Sequence, residues 1–346
     1  MTGQLQEARL VGFQSRQIEE LASQSAVEIL TTAEEDAIRG EILGNAKDGL
    51  SHVDLDRTTI GYPGGEYTDS GIHDAVKALT ARHHVSISTV RPLGHAIRHH
   101  DDLGFHEPVL VENGGVAAFP KRSIEVIFDE PGFAHAAAMR EFIERTLVNQ
   151  LMAEGFSLDY YALADRELEA YLAAQRDNSH WDNPSARNVL MVNLDRKLGL
   201  TVWAGGKPQD PTHNLQHGAF HDATLALMEE FDRANFKTPF VYRPTEEIPA
   251  IIALGTATTK STVWKELIDF LGIENVRGLD LYQFGDGKDD VIELPPGYPQ
   301  VRLLAPRNAV EIAQKRATIV ANGIVTEGLV ELIGAVLNND PRLRSY

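Results

Sequence analysis

The chain has 346 residues, 43% of them hydrophobic, which is enough for two domains or one large domain with an insertion. A formal net charge of −18 argues against a broad nucleic-acid surface, which needs lysine and arginine to neutralise phosphates. The absence of cysteine excludes a disulfide framework or a thiolate metal site and fits a reducing, cytoplasmic home, and no apolar stretch approaches a membrane span, so a soluble protein with no membrane partner is expected.

Residues 1–48 read as a helical N-terminal extension. Ile18, Leu21, Ala22, Ile29, Ala33, Ala37 and Ile38 recur at roughly helical spacing, and Thr32 to Glu35 has capping-box spacing for a second helix. Such a segment packs on the rest of the chain, mediates homo-oligomer formation, or is a simple embellishment. From Asp54 to Val116 the pattern alternates strand and helix, with helices at 69–81 and 94–103 and strands at 85–88 and 108–112. Alternation of this kind predicts βαβ units and a parallel sheet, with ligands gathering beyond the carboxyl ends of the strands.

Residues 117–250 hold a second set of elements. These are a strand at 126–128, a helix at 134–153, a helix at 163–175, paired strands at 188–193 and 200–204, a helix at 219–235 and a strand at 240–242. The alternation then resumes with an apolar strand at 251–254, a helix at 261–271, a strand at 278–284 and the elements that close the sheet.

Four groups of polar residues fall at the ends of these strands. Asp54 and Asp56 are two residues apart, so in extended chain both carboxylates point to one side, where a hard divalent cation finds oxygen ligands. Ser86 to Pro92 reads as a β-branched strand ending in hydroxyls and a cation, Lys260 opens a helix after a strand, and Gly285 to Asp290 is an acidic turn after another. Each has a plain alternative: a solvated turn for the aspartates, a strand residue for Thr89, an exposed helix-start lysine with Lys265 as rival cation, and an ordinary glycine-aspartate loop.

As an ordered set these residues resemble the haloacid dehalogenase-like superfamily of phosphatases, and within it the Cof-type and sugar-phosphatase branch. Asp54 to Thr58 resembles the first family motif, Ser86 to Pro92 the second, Lys260 the third, and Phe284 to Asp290 the fourth. Val109 to Gly115 resembles the turn leading into a large cap, and Asn308-Ala309 with Glu327-Gly328 resembles the end of the core. The resemblance implies an α/β fold with a Rossmann-like parallel-sheet core at 49–116 and 251–346 and an inserted α/β cap at 117–250.

It also implies an Mg2+-dependent phosphomonoester hydrolase acting through an aspartyl-phosphate on a small phosphorylated metabolite, a sugar or glycosyl phosphate. Asp54 would be the nucleophile and Asp56 the proton donor and acceptor, with Thr89 and Lys260 on the phosphoryl group. The metal would be held by Asp54, the backbone carbonyl of Asp56, Asp286 and Asp290, while Arg57, Arg91 and Asn113 would contact substrate. Arg91 otherwise closes an ion pair.

Three departures stand out: the strand before Asp54 is half polar, Arg57 replaces a usual glycine, and Asp289 replaces a usual asparagine. Two alternatives stay open, a phosphosugar mutase of the same superfamily and a non-catalytic protein that keeps the fold. His95 with His99, and His213 with His217 and His221, have the spacing to share a helix face and hold a transition metal, although neither set has a carboxylate partner. Trp181, Trp203 and Arg187 are candidate contacts for a sugar ring.

Overall fold

The computed structural model describes residues 31–61, 66–164, 167, 188–205, 218–244, 250–255 and 258–344. These fall into two compact units, one formed by 28–128 with 258–346 and the other containing 129–257. In the first unit, helix α1 (Thr32–Asn45) starts from Thr31, whose hydroxyl accepts the Glu34 N–H while the Glu34 carboxylate accepts the Thr31 N–H. The box expected at Thr32 to Glu35 is thus found one residue earlier, at Thr31 with Glu34. Ile38, Ile42 and Ala46 of this segment join the cluster that holds Leu50, Val263 and Trp264, so the end of the extension is part of the core. Residues 1–30 lie outside the described residues.

Strand β1 (Gly49–Val53) is buried at all five positions despite Ser51 and His52. Ser51 Oγ lies 3.2 Å from His83 Nδ1, and the His52 ring stacks on Trp264 with centroids 4.0 Å apart. Ser51 therefore has a hydrogen-bond partner and His52 a stacking partner inside the core, and the half-polar pattern conceals a central strand. Helix α2 (Ile72–Thr80), strand β2 (His83–Ile87) and helix α3 (Leu93–Leu103) follow. Strands β3 (Val109–Val111), β4 (Val116–Phe119) and β5 (Ile124–Ile127) make an antiparallel three-stranded sheet.

The second unit runs through helix α4 (Glu130–Phe142), a π-turn at 143–147, and helix α5 (Val148–Ala153). Strands β6 (Leu158–Leu163), β7 (Asn188–Asn193) and β8 (Gly199–Gly205), helix α6 (Ala219–Asn235), and strands β9 (Val241–Pro244) and β10 (Ala250–Leu254) complete it. The sheet order is β6-β7-β8-β10-β9, parallel only between β6 and β7. Its core gathers Met139, Phe142, Leu190, Val202, Phe231 and Ile251.

Two strands differ from the sequence reading: 251–254 pairs antiparallel within this second sheet, and 124–127 pairs with β4 in the first unit. An apolar run announces a buried strand without saying which sheet it joins. The helix expected at 163–175 falls almost wholly outside the described residues, as do Trp181, Arg187, His213 and His217.

The chain returns to the first unit with helices α7 (Lys260–Leu271) and α8 (Ile273–Val276), then strand β11 (Asp280–Phe284) and strand β12 (Arg302–Ala305). Helix α9 (Glu311–Arg316), strand β13 (Ile319–Val320) and helix α10 (Val325–Leu337) follow, α10 packing against α2. The main sheet is wholly parallel in the order β13-β12-β11-β1-β2. Parallel strands share a carboxyl edge, so the residues leaving β1, β2 and β11 emerge side by side. Asp54 N–H donates to the Phe284 carbonyl at 2.9 Å, and Ser88 N–H to the Val53 carbonyl at 2.9 Å. No described helix is long and apolar enough to cross a membrane.

Candidate active site

Four segments meet at that edge. Asp54 follows β1, is 6% exposed, and has its carbonyl fixed by the Thr59 hydroxyl at 2.6 Å. Lys260 is the first residue of α7, which Thr259 caps through a reciprocal bond with Thr262, and its side chain is buried at once. Lys260 Nζ donates to Asp54 Oδ1 at 2.7 Å and to Asp290 Oδ1 at 2.6 Å. Lys265, the rival cation, lies on the exposed side of α7 and pairs with Asp269 at 2.6 Å. Lys260 is therefore the lysine in the site.

Asp290 ends a short helical turn after β11, and the Gly287 N–H donates to its Oδ2 at 2.9 Å. A Cβ at Gly285 would stand 1.9 Å from the Asp290 Cγ, so this turn holds its acid only with glycine there. One oxygen each from Asp54, Asp286 and Asp290 lies within 4.8 Å of the others, and all three residues are buried. Asp289, the departure in this motif, is exposed and outside the triad.

Electrostatics mark the triad as short of positive charge. Burial pushes the Asp54 carboxyl well above the usual range, Lys260 opposes this, and Asp290 and Asp56 reinforce it. Asp286 is pushed up to about 6, first by burial and then by Asp290, against Arg57 and Lys260. Burial alone would lower the Lys260 ammonium, but Asp290 and Asp54 outweigh it and raise it. Three carboxylates cluster, two of them on one buried ammonium and the third near the exposed Arg57, and an all-oxygen donor set of this kind fits a hard divalent cation such as Mg2+.

The other expected site residues are placed as follows. Asp56 is held by Arg91 through two hydrogen bonds, Nε to Oδ2 at 2.7 Å and Nη2 to Oδ1, so the ion-pair reading of Arg91 holds here. Thr89 is fully buried after β2, its hydroxyl accepting the Arg91 N–H at 3.2 Å. The Asn113 N–H donates to the Thr89 carbonyl at 3.0 Å, and Asn113 sits in a turn with φ 59°. Arg57 has φ 58°, which explains why glycine suits the position, and its Nε is 3.6 Å from Asp286 Oδ2. Asn308 Nδ2 donates to the Arg57 carbonyl at 2.8 Å and steadies that turn.

His95 and His99 join no metal cluster among the described residues; His99 Nδ1 instead lies 3.0 Å from the Tyr67 hydroxyl. Residues to which sequence reasoning gave no role also surround the site. Gln283 is the one it did not name, bonding Asp290 at 2.9 Å; the Thr58 and Ser88 hydroxyls, within the first and second motifs, are buried without a hydrogen-bond partner among the described residues. A glutamine inside the apolar run Leu281 to Phe284 was the one available signal.

No family model and no curated protein matches the chain. Among solved structures, a haloacid dehalogenase-like hydrolase from Bacteroides thetaiotaomicron superposes with a TM-score of 0.51 at 16% identity, covering 84% of this chain and all (100%) of that one. The chain has the haloacid dehalogenase-like fold. A Thermotoga maritima protein of known structure agrees, with a TM-score of 0.50 at 14% identity over 84% of this chain and 97% of the other. The haloacid dehalogenase-like fold is the one the ordered motifs implied, and its parallel sheet carries the first, second and fourth of them on one edge, where Lys260 reaches in from α7.

Proposed function

We propose that the chain is an Mg2+-dependent phosphomonoester hydrolase that works through an aspartyl-phosphate on Asp54. The observation that carries this reading is the buried cluster of Asp54, Asp286 and Asp290, with Lys260 bridging Asp54 and Asp290, which brings Asp54 together with residues more than two hundred positions later in the sequence. Asp54, Asp286, Asp290 and the Asp56 carbonyl would hold the cation. When bound, Mg2+ supplies positive charge to the non-bridging phosphoryl oxygens.

In this reading an Asp54 oxygen attacks phosphorus, the bond from phosphorus to the ester oxygen breaks, and the leaving oxygen takes the proton of Asp56. Asp56 then removes a proton from water, whose oxygen attacks phosphorus and frees Asp54 and inorganic phosphate. Lys260 and the Thr89 hydroxyl stabilise the phosphoryl charge. Arg91 holds the Asp56 carboxylate in the resting chain, and a substrate phosphate is the natural competitor for its guanidinium. Arg57 and Asn113 complete the contacts to substrate.

The substrate is read as a small phosphorylated metabolite, a sugar or glycosyl phosphate, chosen by the second unit acting as the cap. Phosphate release from p-nitrophenyl phosphate is expected to need Mg2+, to stop with chelator, and to fall at least about a thousandfold in Asp54→Asn. Hydrolysis that is indifferent to Mg2+ or survives Asp54→Asn would overturn the proposal. Release of inorganic phosphate with no sugar acceptor present separates a hydrolase from a mutase.

A further inference from the structure

Beneath the carboxylate triad lies a column of buried polar groups that the proposed chemistry does not use. Gln283, on β11, is fully buried, and its register partner on β1 is His52. The Trp264 indole Nε1 donates to Gln283 Oε1 at 3.1 Å, and His52 stacks on the same indole at 4.0 Å between centroids. An indole N–H only donates, so it fixes which end of the amide is oxygen and turns the NH2 group toward the site. Gln283 Nε2 then donates to Asp290 Oδ1 at 2.9 Å and to the Phe284 carbonyl at 3.2 Å. Every polar atom of the amide is used.

We propose that Gln283 is a positioning residue for the metal site, its amide locked by Trp264 so that it holds the Asp290 carboxylate in the orientation that completes the triad. This rests on the hydrolase reading above. Asp290 Oδ1 is shared by Gln283 and Lys260, and Oδ2 is held by the Gly287 N–H. Lys260 also serves Asp54, so on its own it ties Asp290 to a partner that must follow Asp54. Gln283 is anchored to the sheet and to α7 and gives Asp290 a second bond that does not move with the lysine.

A leucine would suit the interior of a parallel strand better, because a buried amide costs free energy unless all its hydrogen bonds are made. Here all are made, and the chain of donors ends on a carboxylate of the triad. Partners of this kind orient metal ligands and change metal affinity about 10- to 100-fold when lost.

The test is calorimetric titration of Mg2+ into the metal-stripped full-length chain, with folding at the assay temperature confirmed by circular dichroism melting. Gln283→Met keeps the volume and removes the donors, and its Kd for Mg2+ is expected to rise about 10- to 100-fold. Trp264→Phe keeps the stacking on His52 and frees the amide to turn, with a smaller rise of about threefold to tenfold. Folded Gln283→Met binding Mg2+ as tightly as the parent overturns the inference. Should that variant not fold, unchanged affinity in Trp264→Phe overturns it instead. A parent chain that binds no Mg2+ removes the metal reading itself, which separates that failure from this one.

Discussion

Lys260 is held between two carboxylates that burial would otherwise leave stranded. Removing one partner of a buried charge pair typically costs about 3–5 kcal/mol, because the remaining charge has neither water nor a counter-ion. Lys260→Met is therefore expected to destabilise the metal-free chain by about that amount, and saturating Mg2+ is expected to restore part of it by supplying positive charge to Asp54 and Asp290. Urea unfolding with and without Mg2+ reads both; equal destabilisation in the two conditions would mean that the cation does not share these carboxylates.

Gly285→Ala tests the neighbouring turn. Its new Cβ would collide with the Asp290 carboxylate, so a loss of about 1–3 kcal/mol and at least tenfold weaker Mg2+ binding are expected by calorimetry. The acids and the lysine were legible through the resemblance of their ordered motifs; position just past a strand only permitted that reading, since the strand before Asp54 is half polar and the one before Lys260 joins the other sheet. Gln283 was not, since one polar residue in a strand does not declare its partner. The bidentate hold of Arg91 on Asp56 was legible only as one of two alternatives.

Among the elements, β1 and β10 mark the limits of reading a one-dimensional pattern. β1 looked weak because Ser51 and His52 interrupt its aliphatics, yet hydrogen bonding to His83 and stacking on Trp264 let both sit inside. β10 looked like part of the main sheet because it precedes Lys260, yet it is completed by β8 and β9. Strand partners are chosen in space, and periodicity carries no record of them.

The second unit has its own polar anchor. Asp232 of α6 is fully buried and bonds His135 Nε2 at 2.6 Å, the Phe240 N–H at 2.8 Å and the Tyr242 hydroxyl at 3.0 Å, with His135 stacked between Phe236 and Phe240. Those bonds tie α4, α6 and the approach to β9 together. Asp232→Leu leaves the buried His135 and Phe240 donors unpaired at about 1–3 kcal/mol each, while the half-buried Tyr242 hydroxyl keeps the Met228 carbonyl at 3.4 Å, so a loss of at least about 2 kcal/mol is expected in thermal or urea unfolding. Stability within about 1 kcal/mol of the parent would show that the cluster does not anchor these elements.

Across the whole molecule, buried histidines and buried carboxylates set opposite responses to acid. Burial lowers His52 to about 3, with Lys260 adding to the effect, lowers His83 to about 4, and takes His84 well below its ordinary value. In the unfolded chain these rings take protons near pH 6.5, whereas in the folded chain they resist until much lower pH. The unfolded state therefore binds more protons in between, and stability present above about pH 6.5 is lost as pH falls, at about 1.4 kcal/mol per pH unit for each ring.

Asp286, raised to about 6 in the folded chain, takes its proton there first and acts in the opposite sense below about pH 6, and Asp54, raised well above its ordinary range by burial, acts in the same direction. His52→Phe isolates one contribution. Both of its ring nitrogens lack hydrogen-bond partners among the described residues, so phenylalanine can stack on Trp264 without stranding a donor. At pH 7 the variant is expected to match or exceed the parent, and between pH 6 and 4 its stability should fall less steeply by about 1.4 kcal/mol per pH unit. Urea unfolding across that range measures the slope, and a slope identical to the parent's would mean that His52 takes up its proton as readily in the folded chain as in the unfolded one.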